Sequence, residues 1–288
     1  MTTPASTGAR DDATSGESVQ SVQSESDFVP KTDEVLYERR GAVALFTFNR
    51  PQARNALTWP MYEAMHDACE HVDADDRVRV LVLRGAGDKA FVSGTDISQF
   101  RAFSTPEDAI CYEDNNNRYA GRLENLRKPT IAMLRGYCVG GGAAIAMACD
   151  LRLASPDVKF GVPIARTLGN TLSNHNLVRL VSLVGPARAK DILFLARFVG
   201  ADEGKAVGLL NEVVEPERLE ARTFELAEMI AGHAPLTIRS IKEGINRIVA
   251  GSRLEESEDL LLMCYMSDDF KEGVAAFLEK RPANWKGR

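Results

Sequence analysis

The densest chemical signal in the chain is Arg135–Asp150, which reads RGYCVGGGAAIAMACD. A strand-like run ends, three glycines follow, and a helix of very small residues begins. Consecutive glycines let backbone approach a ligand closely and leave N–H groups free. The opening turn of a helix adds orphan donors and a partial positive charge. That combination suits an anion, whether a phosphate or a developing oxyanion. It equally suits tight packing of helix on strand. No Lys-Ser/Thr follows the glycines and the G-x-G-x-x-G spacing is missing, so neither a P-loop nor a dinucleotide fingerprint is present. A second glycine turn lies at Phe91–Ile97, FVSGTDI. Gly94 permits a sharp bend that would turn the Thr95 amide inward, although the segment alone reads as an ordinary turn. Asp96 is either a catalytic acid or an acceptor for local backbone amides.

Metal and disulfide chemistry find no support. The five cysteines (Cys69, Cys111, Cys138, Cys149, Cys264) are scattered, with no CxxC pair. The four histidines (His66, His71, His175, His233) form no HxxxH. Zinc-ligand spacing is absent and a disulfide scaffold is not expected, which fits a reducing cytoplasm. Cys138 and Cys149 flank the glycine run and read as small core residues.

The elements that would position these turns alternate between strand and helix. Val43–Phe48 and Val78–Leu83 read as buried strands. Thr58 reads as an N-cap with Pro60 behind it. A helix to about Asp73 follows, with Met61, Met65, Ala68, Cys69 and Val72 on one face. Pro106–Leu126 reads as a helix, Thr130–Leu134 as a strand, Gly141–Ala148 as a helix and Leu151–Ala154 as a strand. From Asn174 the chain is nearly all helical, broken at Gly185-Pro186, Gly200, Pro216, Pro235 and Gly251. One α/β domain with a helical extension follows.

The 288 residues suffice for a large core, and 44 % apolar with 26 % charged content is ordinary for a globular chain. Residues 1–30 differ, with six serines, four threonines, five acids and one base. Such a stretch buries too little to offset its ordering entropy and is expected to be disordered. It has no apolar h-region and is not a secretory signal. It carries most of the net charge of −6, so the body lacks the basic bias of a nucleic-acid binder. No run approaches the ~18 apolar residues of a membrane span.

Several segments in order resemble the crotonase superfamily, the enoyl-CoA hydratases and isomerases. They are NRPQARNAL at Asn49–Leu57, KAFVSGTDI at Lys89–Ile97, and KPTIAMLRGYCVGGGAAIAMACDLRLAS at Lys128–Ser155. FGVPIARTLG at Phe160–Gly169, GLLNEVV at Gly208–Val214 and the C-terminal Asp268–Arg288 continue the match. The resemblance implies a spiral of ββα turns over residues 31–225. It implies a helical trimerisation region over 226–288, and a homotrimer or dimer of trimers. It implies an acyl-CoA thioester as partner, with coenzyme A part of the substrate and no separate cofactor. The thioester oxygen would lie between the backbone amides of Thr95 and Gly141. CoA contacts would come from Arg54, Ala56, Val92, Gly94, Thr95, Asp96, Ile97, Ser98, Gly140 and Gly141. Phe277 and Lys280 of a neighbouring subunit would add to them.

Hydratases of this family place two glutamates where this chain has Ala144 and Ile164. Neither side chain can take or give a proton. The stretch that follows, Leu168–Asn174, holds no acid either. The polar groups just past Ile164 are the candidates. His175 reads as a general base or as the first turn of a helix, and Arg166 as an anion ligand or an ion-pair partner. Asn170 reads as a group that positions water. Ser173 or Asn174 also reads as an N-cap. Glu113 and Asp114 are remoter candidates, and a solvated face is the expectation for them. Three functions remain open. They are a hydratase- or isomerase-like enzyme with a non-standard proton-transfer set, an acyl-CoA-binding protein without turnover, and a structural trimer with a degenerate pocket.

Overall fold

The computed structural model describes residues 1, 28–251, 262 and 264–285. The expected disordered tail falls almost wholly outside them. Its last residues do not: Phe28 packs edge-on against Tyr37, with ring centroids 5.3 Å apart.

Strands β1 (Val35–Arg40) and β2 (Val43–Phe48) form an antiparallel hairpin. Helix α1 (Trp59–Ala74) follows, capped by the Thr58 hydroxyl, which accepts the Met61 N–H at 3.4 Å. Three ββα units come next. Strands β3 (Val80–Gly85) and β4 (Ala90–Val92) lead to α2 (Pro106–Glu124). Strands β5 (Thr130–Leu134) and β6 (Tyr137–Val139) lead to α3 (Gly141–Ala148). Strands β7 (Leu151–Ala154) and β8 (Lys159–Gly161) lead to a single turn, α4 (Ile164–Thr167). The first strand of each unit joins one sheet and the second joins another. The sheets run β1-β2-β3-β5-β7-β9 and β4-β6-β8, with β9 at Glu212–Val213. Every pairing except β1–β2 is parallel. This is the spiral of ββα turns that the sequence resemblance implied.

Parallel strands are covered on both faces, so they read as unbroken apolar runs. The period of two then sends alternate residues into two cores. Val43, Leu45, Val80 and Val82 pack on one side with Leu219 and Ala227 of α8 (Pro216–Ala231). Phe46, Phe48, Leu81 and Leu83 pack on the other with Met61, Met65 and Val72 of α1. The expected boundary at 225/226 therefore falls inside α8, a single helix lying on the sheet. Helices α5 (Asn174–Val184), α6 (Pro186–Phe194), α7 (Ala201–Ala206), α9 (Pro235–Ala250) and α10 (Asp268–Glu279) make up the rest of the helical part. Among the described residues no helix is long and apolar enough to cross a membrane.

The first turn of α3 packs directly on β4. Gly140 precedes it with φ 55° and ψ −116°, a conformation that side-chain-bearing residues avoid. A Cβ on Gly142 would lie 2.4 Å from the Val92 carbonyl oxygen. Packing thus accounts for part of the glycine run. Gly142→Ala is expected to cost roughly 2 to 3 kcal/mol, read as a lower urea midpoint at unchanged slope. Gly121→Ala is the control: its site in α2 is open, and alanine there should be neutral or stabilising by about 0.5 kcal/mol or more. Equal midpoints for the two variants would contradict the packing argument.

Candidate active site

A cavity of about 530 Å³ opens where the β4 turn, the first turn of α3, α2 and α10 converge. The turn after β4 is held by Leu57, whose N–H donates to the Gly94 carbonyl at 2.8 Å and whose carbonyl accepts the Asp96 N–H at 2.9 Å. The Thr95 amide lies between them and donates to no backbone carbonyl among the described residues. Gly141 begins α3, so its amide has no partner within the helix. Both residues line the cavity. Gly141 has its own reason to lack a side chain: a Cβ would sit 2.7 Å from the Tyr62 hydroxyl.

Most residues assigned by resemblance lie where a ligand could reach them. Arg54, Ala56, Gly94, Asp96, Ile97, Ser98, Gly140 and Phe277 all line the cavity. Arg54 is exposed at the mouth with φ 51°, its guanidinium 5.4 Å from the centre of the Tyr137 ring. The Lys159 ammonium lies 4.9 Å from the same ring, so two cations flank one aromatic group. Val92 does not line the cavity and is fully buried behind the turn. Phe277 reaches the cavity of its own chain from α10. Lys280 ends α10 with φ 55° and lies off the cavity.

The other candidates divide sharply. Asp96 accepts the Ser98 N–H at 3.2 Å and hydroxyl at 2.8 Å. Burial pushes its carboxyl up, but these bonds and Arg50 hold it below its usual value. It therefore caps the turn. Arg166 is exposed on α4, and His175 sits in the first turn of α5; neither lines the cavity. Ser173 is the N-cap of α5. Ala144, Ile164 and Asn170 all line the cavity. Cys138 and Cys149 are buried, and burial pushes the Cys149 thiol up to about 12. Among the described residues no three His, Cys, Asp or Glu groups converge as metal ligands.

Glu113 overturns the expectation of a solvated face. It is 4 % exposed and lines the cavity. It lies on the buried stripe Ala109, Tyr112, Glu113, Ala120, Leu123 of α2. That i, i+3, i+4 spacing was readable in the sequence. Its carboxylate accepts the hydroxyl hydrogen of Tyr265. Asn170 in turn donates to that hydroxyl at 3.1 Å, and its own Oδ1 is buried without a partner. Burial pushes the Glu113 carboxyl up to about 7, against the opposing Tyr265 hydrogen bond, and Asp114 repels it further. A second network adjoins the turn. The Thr95 hydroxyl lies 3.1 Å from both the Tyr62 and Tyr112 hydroxyls. Tyr62, Tyr112 and Tyr265 had no signal in the sequence beyond their aromatic character.

A raised carboxyl binds its proton more tightly in the folded chain. Stability therefore falls as pH rises from about 4.5 through about 7, by at most about 3 kcal/mol. Glu113→Gln should remove this slope, so the variant gains melting temperature over wild type at pH 8 but not at pH 4.5. Parallel pH curves for the two proteins would show Glu113 to be ordinary.

Residues 38–288 match the family model described as enoyl-CoA hydratase/isomerase. The chain is 38 % identical over 250 residues to a short-chain-enoyl-CoA hydratase of Clostridium acetobutylicum, covering 86 % of this chain and 95 % of that one. It is 36 % identical to a crotonyl-CoA hydratase of Syntrophomonas wolfei, covering 88 % and 98 %. A methylmalonyl-CoA decarboxylase bound to 2-nitronate-propionyl-CoA superposes with TM-score 0.81 at 30 % identity, covering 88 % of this chain and 99 % of that one. A family match over this length, joined to the two-sheet spiral and the glycine turns, places the chain in the enoyl-CoA hydratase/isomerase family.

Proposed function

We propose that the protein is an acyl-CoA enzyme that stabilises a thioester enolate between the Thr95 and Gly141 amides. The carrying observation is that Thr95 and Gly141 line one cavity and that, among the described residues, neither N–H donates to a backbone carbonyl. Preorganised donors of this kind contribute about 3–4 kcal/mol each where charge develops. Arg54, which lines the cavity, and Lys159, beside the same Tyr137 ring, give CoA phosphates a cationic approach. The cavity behind Gly141 receives the acyl group. The hydratases at 36–38 % identity support an enoyl-CoA substrate. The decarboxylase similarity supports the wider class of acyl-CoA thioesters. With alanine and isoleucine at 144 and 164, proton transfer uses a non-standard set. No separate cofactor or metal enters the proposal.

The proposed assembly is a trimer or dimer of trimers. Leu236, Ile241, Ile245 and Ile248 of α9 are each more than half exposed and form an apolar face suited to a partner subunit. The proposed location is the cytoplasm, where the cysteines, free among the described residues, would stay reduced. A second reading rests on Ala144 and Ile164: the same cavity would hold acyl-CoA without turning it over.

The two readings separate on trans-2-enoyl-CoA thioesters of several chain lengths, followed by conjugated enoyl absorbance. The enzyme reading predicts saturable loss of absorbance at a rate proportional to enzyme. Tight binding with no loss at excess enzyme would establish the binding protein instead.

A further inference from the structure

We propose that Glu113 of α2 is the catalytic proton-transfer group of this chain, held in place by Tyr265 and Asn170. The proposal rests on the enolate reading and supplies the group that reading lacks.

The cavity carries apolar side chains at Ala144 and Ile164, yet it is not without an acid. Glu113 enters from another element, α2, and is nearly fully buried. Burying a carboxyl is costly unless it is bonded or neutral. Among the described residues its hydrogen-bond partner is a single phenol, Tyr265. That leaves its second oxygen available to the cavity it lines. The preceding residue, Tyr112, fixes this part of α2 beside the Thr95 turn, hydroxyl to hydroxyl at 3.1 Å. Asn170 bridges to Tyr265 from the loop after α4. Three segments distant in sequence thus converge on one carboxyl beside the proposed oxyanion site. The groups that bear on its charge are Tyr265, Asp114 and Tyr112. With no cation among them, the carboxyl titrates near neutrality. It can then both take and return a proton.

The step balances with one group. The Glu113 carboxylate takes the proton from the carbon next to the thioester carbonyl. The C–H electron pair forms the enolate, and its charge moves to the oxygen between the Thr95 and Gly141 amides. Glu113 then returns the proton to the same carbon, or two carbons farther along an unsaturated chain. In the first case a saturated thioester exchanges its α-hydrogens with solvent. In the second a double bond moves into conjugation. A single carboxyl of this kind suits proton-shuttle chemistry on enolisable acyl-CoA thioesters.

The test is α-hydrogen exchange of butyryl-CoA in D2O, followed by proton NMR, beside enoyl-CoA turnover. Wild type should exchange, with a rate that rises as Glu113 ionises around pH 7. Glu113→Gln should slow exchange by about 10²- to 10⁴-fold, with butyryl-CoA affinity by calorimetry within about twofold. Tyr265→Phe removes the hydrogen bond that favours the carboxylate, so the pH limb should move upward while activity survives. Glu113→Gln exchanging at the wild-type rate would overturn the inference and leave the enzyme reading standing. So would a wild type that turns over enoyl thioesters without exchanging butyryl-CoA. Wild-type silence in both assays, with binding intact, would overturn both proposals.

Discussion

The contact on which the fold and the site both depend is backbone against backbone, where the first turn of α3 meets β4. Gly142 lies so close to Val92 that no side chain fits between them. Gly140 supplies the backbone conformation that turns the chain into that contact. Gly141 follows at the cavity wall, where a Cβ would press on the Tyr62 hydroxyl. The three glycines therefore have three different reasons. Packing accounts for Gly142 outright, while Gly141 also stands at the cavity where the proposed function places an oxyanion. The same close approach holds the start of α3 against β4, next to the turn that carries Thr95. Distortion there would be felt in stability and chemistry together.

Around this rigid junction the structure spends polar groups sparingly. Arg152 is buried, yet its guanidinium is satisfied by the carbonyls of Ala146, Cys149 and Leu209, which closes the C-terminal end of α3. Asp150 accepts the Thr130 amide and hydroxyl and the Lys242 ammonium, tying α9 to the sheet. These charges are engaged with partners and hold the scaffold. Glu113 differs because its environment leaves it partly uncompensated. An aromatic group of Phe100, Tyr112, Tyr265 and Phe270 surrounds that corner, with α10 folded over it. α10 reaches this position because Gly273 lies directly on the Leu168 backbone. A carboxyl raised toward neutrality by apolar surroundings is a recurrent feature of sites that move protons.

Much of this was legible in the residues. Thr130–Leu134, Gly141–Ala148 and Leu151–Ala154 match their expected bounds, because apolar runs edged by glycine or charge leave little freedom. The three-residue strands β4, β6 and β8 were not legible, since pairing between distant repeats creates them. The two glycine turns announced themselves by composition. Glu113 was misjudged because acids are usually solvated, although its place on the α2 stripe argued otherwise. Tyr265 could not have been found, because only the fold brings it from the C-terminal region to α2. Arg166 and His175 have suitable chemistry but stand on the wrong side of their short helices.

The central claim is that two amides polarise a thioester carbonyl. Isotope-edited infrared spectroscopy of crotonyl-CoA carrying 13C at the carbonyl tests it most directly, using the wild-type protein. The bound carbonyl stretch should move to lower frequency than in water, as two fixed donors withdraw electron density. A bound carbonyl at or above its solution frequency would mean that the amides do not engage it, and would contradict the account.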